Sequence, residues 1–236
     1  MEALTVIIPC YNEEAFIGQV VTNVLNTPHG FDIKREIIIV DDASTDKTAA
    51  ILSSFENHTD IIICRHEKNM GKGACIKTAL KKASGSIAVI QDADLEYDPA
   101  DYKKLLQPIM EGHADVVYGS RFVGNGPHRV LFYFHTIGNK FLTRLSNLFT
   151  QLNLTDMETG YKMFRMEILK QISLKEKRFG FEPEVTARIS KIKGIRIYET
   201  GIAYYGRTYK QGKKINWRDG FKAMYCIIKY NLFFRK

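Results

Sequence analysis

Short apolar runs and amphipathic segments alternate along the first half of the chain. Apolar runs of strand length lie at residues 4–8, 36–40, 60–64, 87–90 and 114–118. Segments with helical periodicity lie between and after them, at 13–25, from the capping candidates Ser44 or Asp46 to 55, at 73–83 and at 101–110. This alternation with short connections predicts an α/β fold with a mostly parallel central sheet flanked by helices. In such a sheet, ligands bind beyond the carboxyl ends of the strands.

The second half of the chain has a less regular pattern. Residues 131–152 predict an amphipathic helix or helix pair, 181–192 another helix, 196–205 a strand and 219–234 a final helix rich in aromatic side chains. With 236 residues and 45% hydrophobic content, the chain can bury a substantial core. The sequence contains no internal repeat or long linker, and we therefore expect one domain over 1–236.

The composition is that of a basic protein with reduced thiols. The 34 lysines and arginines against 26 acidic residues give a net charge of +8, which favours nucleotide phosphates, lipid phosphates or an anionic membrane surface as partners. The four cysteines are widely spaced and form no C-x-x-C pair, which is typical of buried cytosolic thiols. No secretory signal opens the sequence, and no apolar run reaches the roughly 18 to 20 residues of a spanning helix. We expect a cytoplasmic location without a transmembrane helix.

The most informative stretch follows the apolar run at 87–90. Asp92, Asp94 and Glu96 place three carboxylates at the carboxyl end of this predicted strand. Carboxylate oxygens are suitable ligands for hard divalent cations such as Mg²⁺ or Mn²⁺, and such a cation neutralises a diphosphate. Taken alone, the same residues are also compatible with a polar turn after a buried strand.

Other polar groups follow predicted strands at 9–14, 41–42 and 69–73. Because the carboxyl ends of parallel strands share one edge of a sheet, we expect these groups and the acids at 92–96 to line one cleft. Asp41 is a candidate acceptor of hydrogen bonds from a nucleobase, and Lys72, between two glycines, is a candidate contact for a phosphate. An ordinary turn and a solvated loop lysine are the alternatives. The sequence lacks the spacing of a Walker A loop and has no G-x-G-x-x-G after its first strand.

Six motifs, taken together and in order, resemble those of the family 2 glycosyltransferases of GT-A fold, particularly the polyprenyl-phosphate sugar synthases such as dolichol-phosphate mannose and glucose synthases. They are V-I-I-P-C-Y-N-E-E at 6–14, V-D-D-A-S-T-D at 40–46, N-M-G-K-G at 69–73, D-A-D-L-E at 92–96, G-S-R at 119–121 and D-M-E-T-G-Y-K at 156–162. The resemblance covers nearly the whole chain. It implies a nucleotide-sugar and metal-binding half at 1–122 and an acceptor-binding half, with C-terminal acceptor-side helices, at 123–236.

The resemblance also implies roles for individual residues of the first half. The residues expected to bind the nucleotide sugar are Pro9, Tyr11, Glu13, Asp41, Lys72, Asp92 and Ala93. Asp94 and Glu96 are expected to hold Mg²⁺ or Mn²⁺. Many family members carry glutamine where this chain has Glu96, and because glutamate adds a charge, the choice of metal stays open.

Basic residues of the second half are candidates for binding an anionic acceptor, because guanidinium groups suit phosphate oxygens. The resemblance selects Arg121, Arg207 and Lys213, and the position after a glycine-rich loop adds Arg129. Asp156 has two possible roles: it orients a basic partner if the acceptor is a lipid phosphate, and it is the general base if the acceptor is a hydroxyl. The residues expected at the reacting centre are Asp92, Asp94, Asp156 and Arg121.

The implied activity is an inverting, metal-dependent transfer of a hexose from a nucleotide sugar of the GDP-mannose or UDP-glucose type to a polyprenyl phosphate. The aromatic and basic segments 131–152 and 221–236 suit a membrane interface, although core or dimer helices have the same pattern. We expect peripheral association with the cytoplasmic face of a membrane. A saccharide or glycolipid hydroxyl acceptor and a noncatalytic nucleotide-sugar or lipid-phosphate binding module are the alternatives. No nucleic-acid partner is expected, and the sugar, the nucleotide and the oligomeric state stay open.

Overall fold

A seven-stranded sheet with helices on both faces forms the centre of the protein. The computed structural model describes residues 2–124, 129–130, 132–177, 180–207 and 217–233. The strands are β1 (Ala3–Cys10), β2 (Lys34–Asp41), β3 (Ile61–Arg65), β4 (Ile87–Ile90), β5 (Val116–Ser120), β6 (Lys162–Arg165) and β7 (Ile197–Gly201). The helices are α1 (Ile17–Asn26), α2 (Thr48–Ser53), α3 (Lys72–Leu80), α4 (Tyr102–Met110), α5 (Tyr133–Thr150), α6 (Met166–Gln171), α7 (Phe181–Ile189) and α8 (Trp217–Leu232).

The strand order across the sheet is β3-β2-β1-β4-β6-β5-β7. The first four strands of the chain are mutually parallel, and β5 is parallel to β7. Between these two groups, β6 runs antiparallel to both β4 and β5. The predicted α/β fold with a mostly parallel sheet is confirmed, but the sequence pattern missed β6 and α6.

Side chains of the central strands pack into two apolar layers, one on each face of the sheet. Val6 of β1 and Val89 of β4 pack with α1 and α4, whereas Ile7 and Ile90 pack with α3 and α7. Neighbouring residues enter opposite layers because side chains alternate along a strand. These four residues are fully buried, which explains why β1 and β4 are continuous apolar runs. Cys10, Cys75 and Cys226 are also buried, and all four cysteines are free, as predicted.

Several element boundaries differ from the sequence pattern near the carboxyl edge of the sheet. α1 begins at Ile17 rather than at 13, and β7 ends at Gly201 rather than at 205. At the start of α2, the Asp46 carboxylate accepts the Thr48 N–H at 2.9 Å. Ser44, the other capping candidate, instead accepts the N–H of Asn12 at 3.0 Å and so joins the loops after β1 and β2. Within the described ranges, no helix is both long enough and apolar enough to cross a membrane.

Candidate active site

Three loops turn sharply where β1, β2 and β4 end at one edge of the sheet. In each loop a non-glycine residue has a left-handed backbone, with φ of 52° at Asn12, 61° at Ala43 and 59° at Leu95. Such a residue costs roughly 1–2 kcal/mol, and backbone strain of this kind concentrates at functional sites. The loops carry the motifs at 9–14, 40–46 and 92–96, and the parallel topology brings these motifs together.

The acids of two of these loops surround the guanidinium group of Arg207. Its Nη2 lies 2.8 Å from Asp94 Oδ2, its Nη1 lies 3.3 Å from Glu13 Oε2, and its Nε lies 3.6 Å from Glu96 Oε1. The backbone N–H of Arg207 donates to Glu96 Oε1 at 2.7 Å. The hydroxyl of Tyr204 donates to the other oxygen of Glu96 at 2.8 Å. Three carboxylates therefore lie within reach of one positive charge. The sequence had suggested an acceptor phosphate as the partner of Arg207 and gave no sign of this cluster.

The chemistry of this carboxylate cluster fits a divalent cation. Mg²⁺ and Mn²⁺ take oxygen ligands, and carboxylates are the usual protein source. Burial, followed by the charges of Asp92 and Glu96, raises the pKa of Asp94 to about 7. Arg207 lowers that pKa, as any cation at this position does. Asp94 and Glu96, the predicted metal ligands, thus lie together with Glu13 around a position that already holds a positive group.

Lys72 connects Asp92 to helix α7. Its Nζ lies 2.7 Å from Asp92 Oδ1 and 2.8 Å from Glu182 Oε1. Burial alone would lower the pKa of Lys72, but the two carboxylates raise it above its ordinary value. The charged lysine therefore orients the Asp92 carboxylate. Sequence reasoning gave Glu182 no role beside Lys72, because the two residues are 110 positions apart.

Gly160 packs its bare backbone against the other oxygen of Asp92. A Cβ atom at this position would overlap Asp92 Oδ2 and would lie 2.9 Å from Tyr97 Cε2. The N–H of Gly160 donates to the Tyr97 hydroxyl at 2.8 Å, and the Tyr97 ring stacks on Tyr161 with centroids 4.7 Å apart. Asp92 is therefore held between Lys72 and a glycine, and a Cβ atom at that glycine would force the Asp92 carboxylate or the Tyr97 ring to shift. The D-M-E-T-G-Y-K motif contains Gly160, but its spacing does not reveal this contact.

Asp42 holds the loop that leads into α3. It accepts the N–H of Met70 at 2.8 Å and the N–H of Gly71 at 2.6 Å, and its Oδ1 lies 2.7 Å from His66 Nδ1. These contacts fix the backbone next to Lys72. The neighbouring Asp41, proposed from sequence as the nucleobase acceptor, is buried and accepts the Ser44 N–H at 3.0 Å.

The other residues expected to bind the nucleotide sugar lie at the same edge of the sheet. Pro9 is the penultimate residue of β1, Tyr11 follows that strand, and Ala93 follows β4. Tyr11 is 37% exposed, whereas Ala93 is buried.

Arg121 and Asp156 form a bidentate ion pair beyond the end of β5. The Nε and Nη2 atoms of Arg121 each lie 2.7 Å from an oxygen of Asp156, and the backbone N–H of Arg121 adds a bond at 3.1 Å. Asp156 is fully buried. The guanidinium carbon of Arg121 lies 5.2 Å from the ring centre of Tyr204, whose hydroxyl binds Glu96. Tyr204 therefore connects this pair to the carboxylate cluster, a link that the sequence did not indicate.

Arg129 contacts the segment that carries Arg207. Its Nη1 donates to the Gly206 carbonyl at 2.5 Å, and its backbone N–H donates to the Tyr204 carbonyl at 2.9 Å. Lys213, the remaining candidate for the acceptor phosphate, lies outside the described residues.

Comparison with known proteins identifies the class of the chain. It belongs to glycosyl transferase family 2, whose model matches residues 5–173, and it is a glycosyltransferase. It is 33% identical over 240 residues to a UDP-N-acetylglucosamine–dolichyl-phosphate N-acetylglucosaminyltransferase of Methanococcus voltae, with 94% of this chain and 93% of that protein covered. It is 26% identical over 230 residues to a dolichol-phosphate mannosyltransferase of Pyrococcus furiosus, with 96% of this chain and 64% of that protein covered. The predicted family is confirmed.

Solved structures show the same fold at low sequence identity. Glucosyl-3-phosphoglycerate synthase from Mycobacterium tuberculosis, in complex with Mn²⁺, UDP and phosphoglyceric acid, matches with a TM-score of 0.74. The match covers 97% of this chain and 78% of that chain at 18% identity. A complex of that enzyme with Mg²⁺ and UDP matches with a TM-score of 0.71 at 17% identity, covering 98% of this chain and 79% of that one. The predicted GT-A fold is confirmed.

Proposed function

We propose that this glycosyltransferase moves a hexose from a nucleotide sugar to a polyprenyl phosphate, with inversion at the anomeric carbon and with Mg²⁺ or Mn²⁺ as cofactor. The observation that carries the proposal is the convergence of Asp94, Glu96 and Glu13 on one positive group at the carboxyl edge of the sheet. The names of the two archaeal relatives support a dolichyl-phosphate acceptor. The Mn²⁺ and UDP bound by the mycobacterial enzyme support a divalent cation and a nucleotide donor.

The charged residues of the donor site suit the binding of a diphosphate and its departure. Asp94 and Glu96 would hold a divalent cation, which would supply positive charge for the departing nucleoside diphosphate. Asp92, fixed by Lys72, lies beside this position and is available to a donor hydroxyl. An oxygen of the acceptor phosphate attacks the anomeric carbon, and a new C–O bond forms on the opposite face as the bond to the leaving phosphate oxygen breaks. The electron pair leaves with the nucleoside diphosphate, and no covalent enzyme intermediate is needed.

The acceptor side is organised around Arg121. A phosphomonoester is ionised near neutral pH, so it needs positioning more than deprotonation. Asp156 is fully buried and both of its oxygens bind Arg121, which supports an orienting role for Asp156 and a phosphate-binding role for Arg121. The alternative with a hydroxyl acceptor requires Asp156 as base and receives less support from this arrangement.

We also propose that the enzyme works at a membrane surface. Helix α5 exposes Phe134, Ile137, Phe141 and Leu148, whose spacing places them on one face. Exposed basic residues at positions 140 and 144 lie on the same helix. An aromatic and basic face suits an anionic lipid surface, which is where a polyprenyl phosphate is found. Association with the cytoplasmic face stays a prediction, as does the division into donor and acceptor halves.

The proposed function is tested by turnover with defined substrates. Purified protein is incubated with Mg²⁺ or Mn²⁺, labelled GDP- and UDP-sugars, and a short polyprenyl phosphate. We expect acid-labile labelled lipid from one donor, which identifies both the nucleotide and the acceptor class. Donor hydrolysis without labelled lipid would overturn the acceptor assignment, and full activity in excess chelator would overturn the metal assignment.

Matched variants locate the activity within the site. Asp94→Asn is expected to lower transfer by roughly a hundredfold or more, because it removes a charged ligand of the cation that stabilises the leaving group. Asp60→Asn removes the same charge from an exposed position just before β3, at the opposite edge of the sheet, and should retain activity. Equal activity of the two variants would contradict the assignment of Asp94 as a metal ligand.

A further inference from the structure

We propose that the Arg207 side chain is a built-in cation that a divalent metal ion displaces, so that Arg207 sets the affinity of the metal site. The inference rests on the proposed function, since it takes Asp94 and Glu96 as the metal ligands. It gives Arg207 a place in the donor site before any acceptor phosphate is bound.

The contacts of the guanidinium group make the two cations mutually exclusive. Its Nη2 donates to Asp94 Oδ2 at 2.8 Å, and its Nη1 donates to Glu13 Oε2 at 3.3 Å. A metal ion would bind carboxylate oxygens at about 2.0–2.6 Å, depending on the ion. It would take the lone pairs that the guanidinium group now uses, and it would place a double positive charge against a single one. Binding of the metal ion therefore requires the guanidinium group to withdraw.

Arg207 is held close to the three carboxylates, but not all of its N–H groups form hydrogen bonds with them. Its backbone N–H binds Glu96, and its guanidinium carbon lies 5.3 Å from the ring centre of Phe16. Its Nε is buried without a hydrogen-bond partner and lies 3.6 Å from Glu96 Oε1. A buried donor left unpaired weakens the association. This combination suits an exchangeable partner better than a permanent structural ion pair.

The exchange has a consequence for the acceptor. Arg207 keeps three neighbouring carboxylates together when their mutual repulsion would otherwise separate them. Once displaced, the guanidinium group stays tethered beside the site through its own backbone, where a phosphate is a suitable new partner. Binding of metal and donor would in this way free a phosphate-binding group for the next step, which reconciles the position of Arg207 with the role expected from the sequence.

The test measures Mn²⁺ binding directly, by titration calorimetry and by the electron paramagnetic resonance signal of free Mn²⁺, without donor or acceptor. Arg207→Gln should bind Mn²⁺ roughly ten- to hundredfold more tightly than the wild type, because charge-assisted bonds to the carboxylates no longer compete. Arg207→Lys, which keeps the charge but loses the fork, should be intermediate. Arg196→Gln is the matched control. Arg196 pairs with Asp115 at 2.6 Å and lies just before β7, at the amino ends of the strands, away from the carboxylate cluster. This variant should bind Mn²⁺ with the affinity of the wild type.

Thermal unfolding supplies a second measurement that does not depend on activity. Mn²⁺ should raise the Tm of Arg207→Gln more than that of the wild type, because tighter binding to the folded state stabilises it more. Equal or weaker Mn²⁺ binding by Arg207→Gln, together with loss of binding in Asp94→Asn, would overturn the exchange and leave the metal site intact. Absence of Mn²⁺ binding in every variant, with and without UDP, would overturn the exchange and the metal part of the proposed function together.

Discussion

Glu36 shows how much a single carboxylate contributes away from the active site. It lies near the start of β2, and it accepts hydrogen bonds from the Thr5 hydroxyl, from the N–H groups of Ser84 and Gly85, both at 2.8 Å, and from the Ser84 hydroxyl at 2.9 Å. Burial raises the pKa of Glu36, but these hydrogen bonds outweigh it and lower the pKa below its ordinary value. The folded state therefore favours the charged form.

Glu36→Gln should lower the free energy of unfolding by about 1–2 kcal/mol near neutral pH, an amount reduced for partial solvent exposure. Because the folded pKa lies below the unfolded one, the contribution of Glu36 is fully present above the unfolded pKa. It is lost as the pH falls through the folded pKa. Urea unfolding followed by circular dichroism at several pH values should show the two proteins converging in acid. Glu56→Gln, at an exposed pair with Arg65, is the control and should change little. A pH-independent difference would contradict the assignment.

Gly160→Ala should damage both catalysis and stability. The added Cβ atom overlaps Asp92 Oδ2, so Asp92 or the loop has to move. Misplacement of a site group by about 1 Å can cost roughly a hundredfold in rate, whereas overpacking typically costs about 1–3 kcal/mol. Steady-state kinetics and thermal unfolding measure the two effects. Gly220→Ala, in α8 with open space around the new methyl group, should keep full activity. Wild-type rates for Gly160→Ala would show that Asp92 tolerates displacement.

Groups of site residues that are close together in the sequence could be predicted, whereas contacts between residues that are far apart in the sequence could not. Asp92, Asp94 and Glu96 stand together after an apolar run, so their shared location followed from the sequence alone. The Tyr204 hydroxyl donates to Glu96, which is 108 positions away in the sequence, and no local pattern predicts that contact. Such partners are fixed by packing, which sequence periodicity does not describe.

At the scale of elements, the salt bridge between Lys72 and Glu182 joins the start of α3 to α7. Lys72→Met leaves Asp92 and Glu182 without their shared cation and should cost about 3 kcal/mol or more, as the loss of one partner of a buried pair does. Adding Glu182→Gln removes one uncompensated charge, so the double variant should be more stable than Lys72→Met alone. Denaturant unfolding of the full double-mutant cycle measures this coupling.

The control for this cycle is Lys104→Met. Lys104 pairs with Asp101 at 2.6 Å, but its side chain is 49% exposed, so its removal should cost little. If the losses from Lys72→Met and Glu182→Gln simply add, the two residues do not act as a unit, and Lys72 would orient Asp92 without help from α7.

The elements that could be predicted are those with an uninterrupted apolar pattern. β1 to β5 follow from such runs, whereas β6 begins with Lys162, whose side chain is fully buried and donates to the Thr159 carbonyl. Burial lowers the pKa of Lys162 to about 8. Because this strand has only four residues and begins with a buried lysine, a pattern in which buried positions are apolar does not predict it. The missed strand is also the antiparallel one, so its direction escaped prediction too.

At the scale of the whole molecule, the sequence did not decide whether the aromatic segments 131–152 and 221–236 lie in the core or at the surface. The structure exposes 83% of Phe134, 54% of Phe141 and 50% of Leu232. α5 and α8 pack against each other, and each leaves aromatic side chains outside that contact. Because the chain also carries a net charge of +8, we favour an anionic lipid surface over a second copy of the chain as the partner of these faces.

Sedimentation with lipid vesicles tests this choice. The protein should bind vesicles of phosphatidylcholine with phosphatidylglycerol more tightly than vesicles of phosphatidylcholine alone, and added salt should weaken the difference. The double variant Phe134→Ser/Phe141→Ser should lower the partition coefficient roughly tenfold or more, since two large apolar side chains no longer enter the interface. Tyr198→Ser, at a side chain 46% exposed on β7, is the control and should bind as the wild type does. Unchanged vesicle binding by the double variant, with loss of a dimer in analytical ultracentrifugation, would assign the face to a second copy instead.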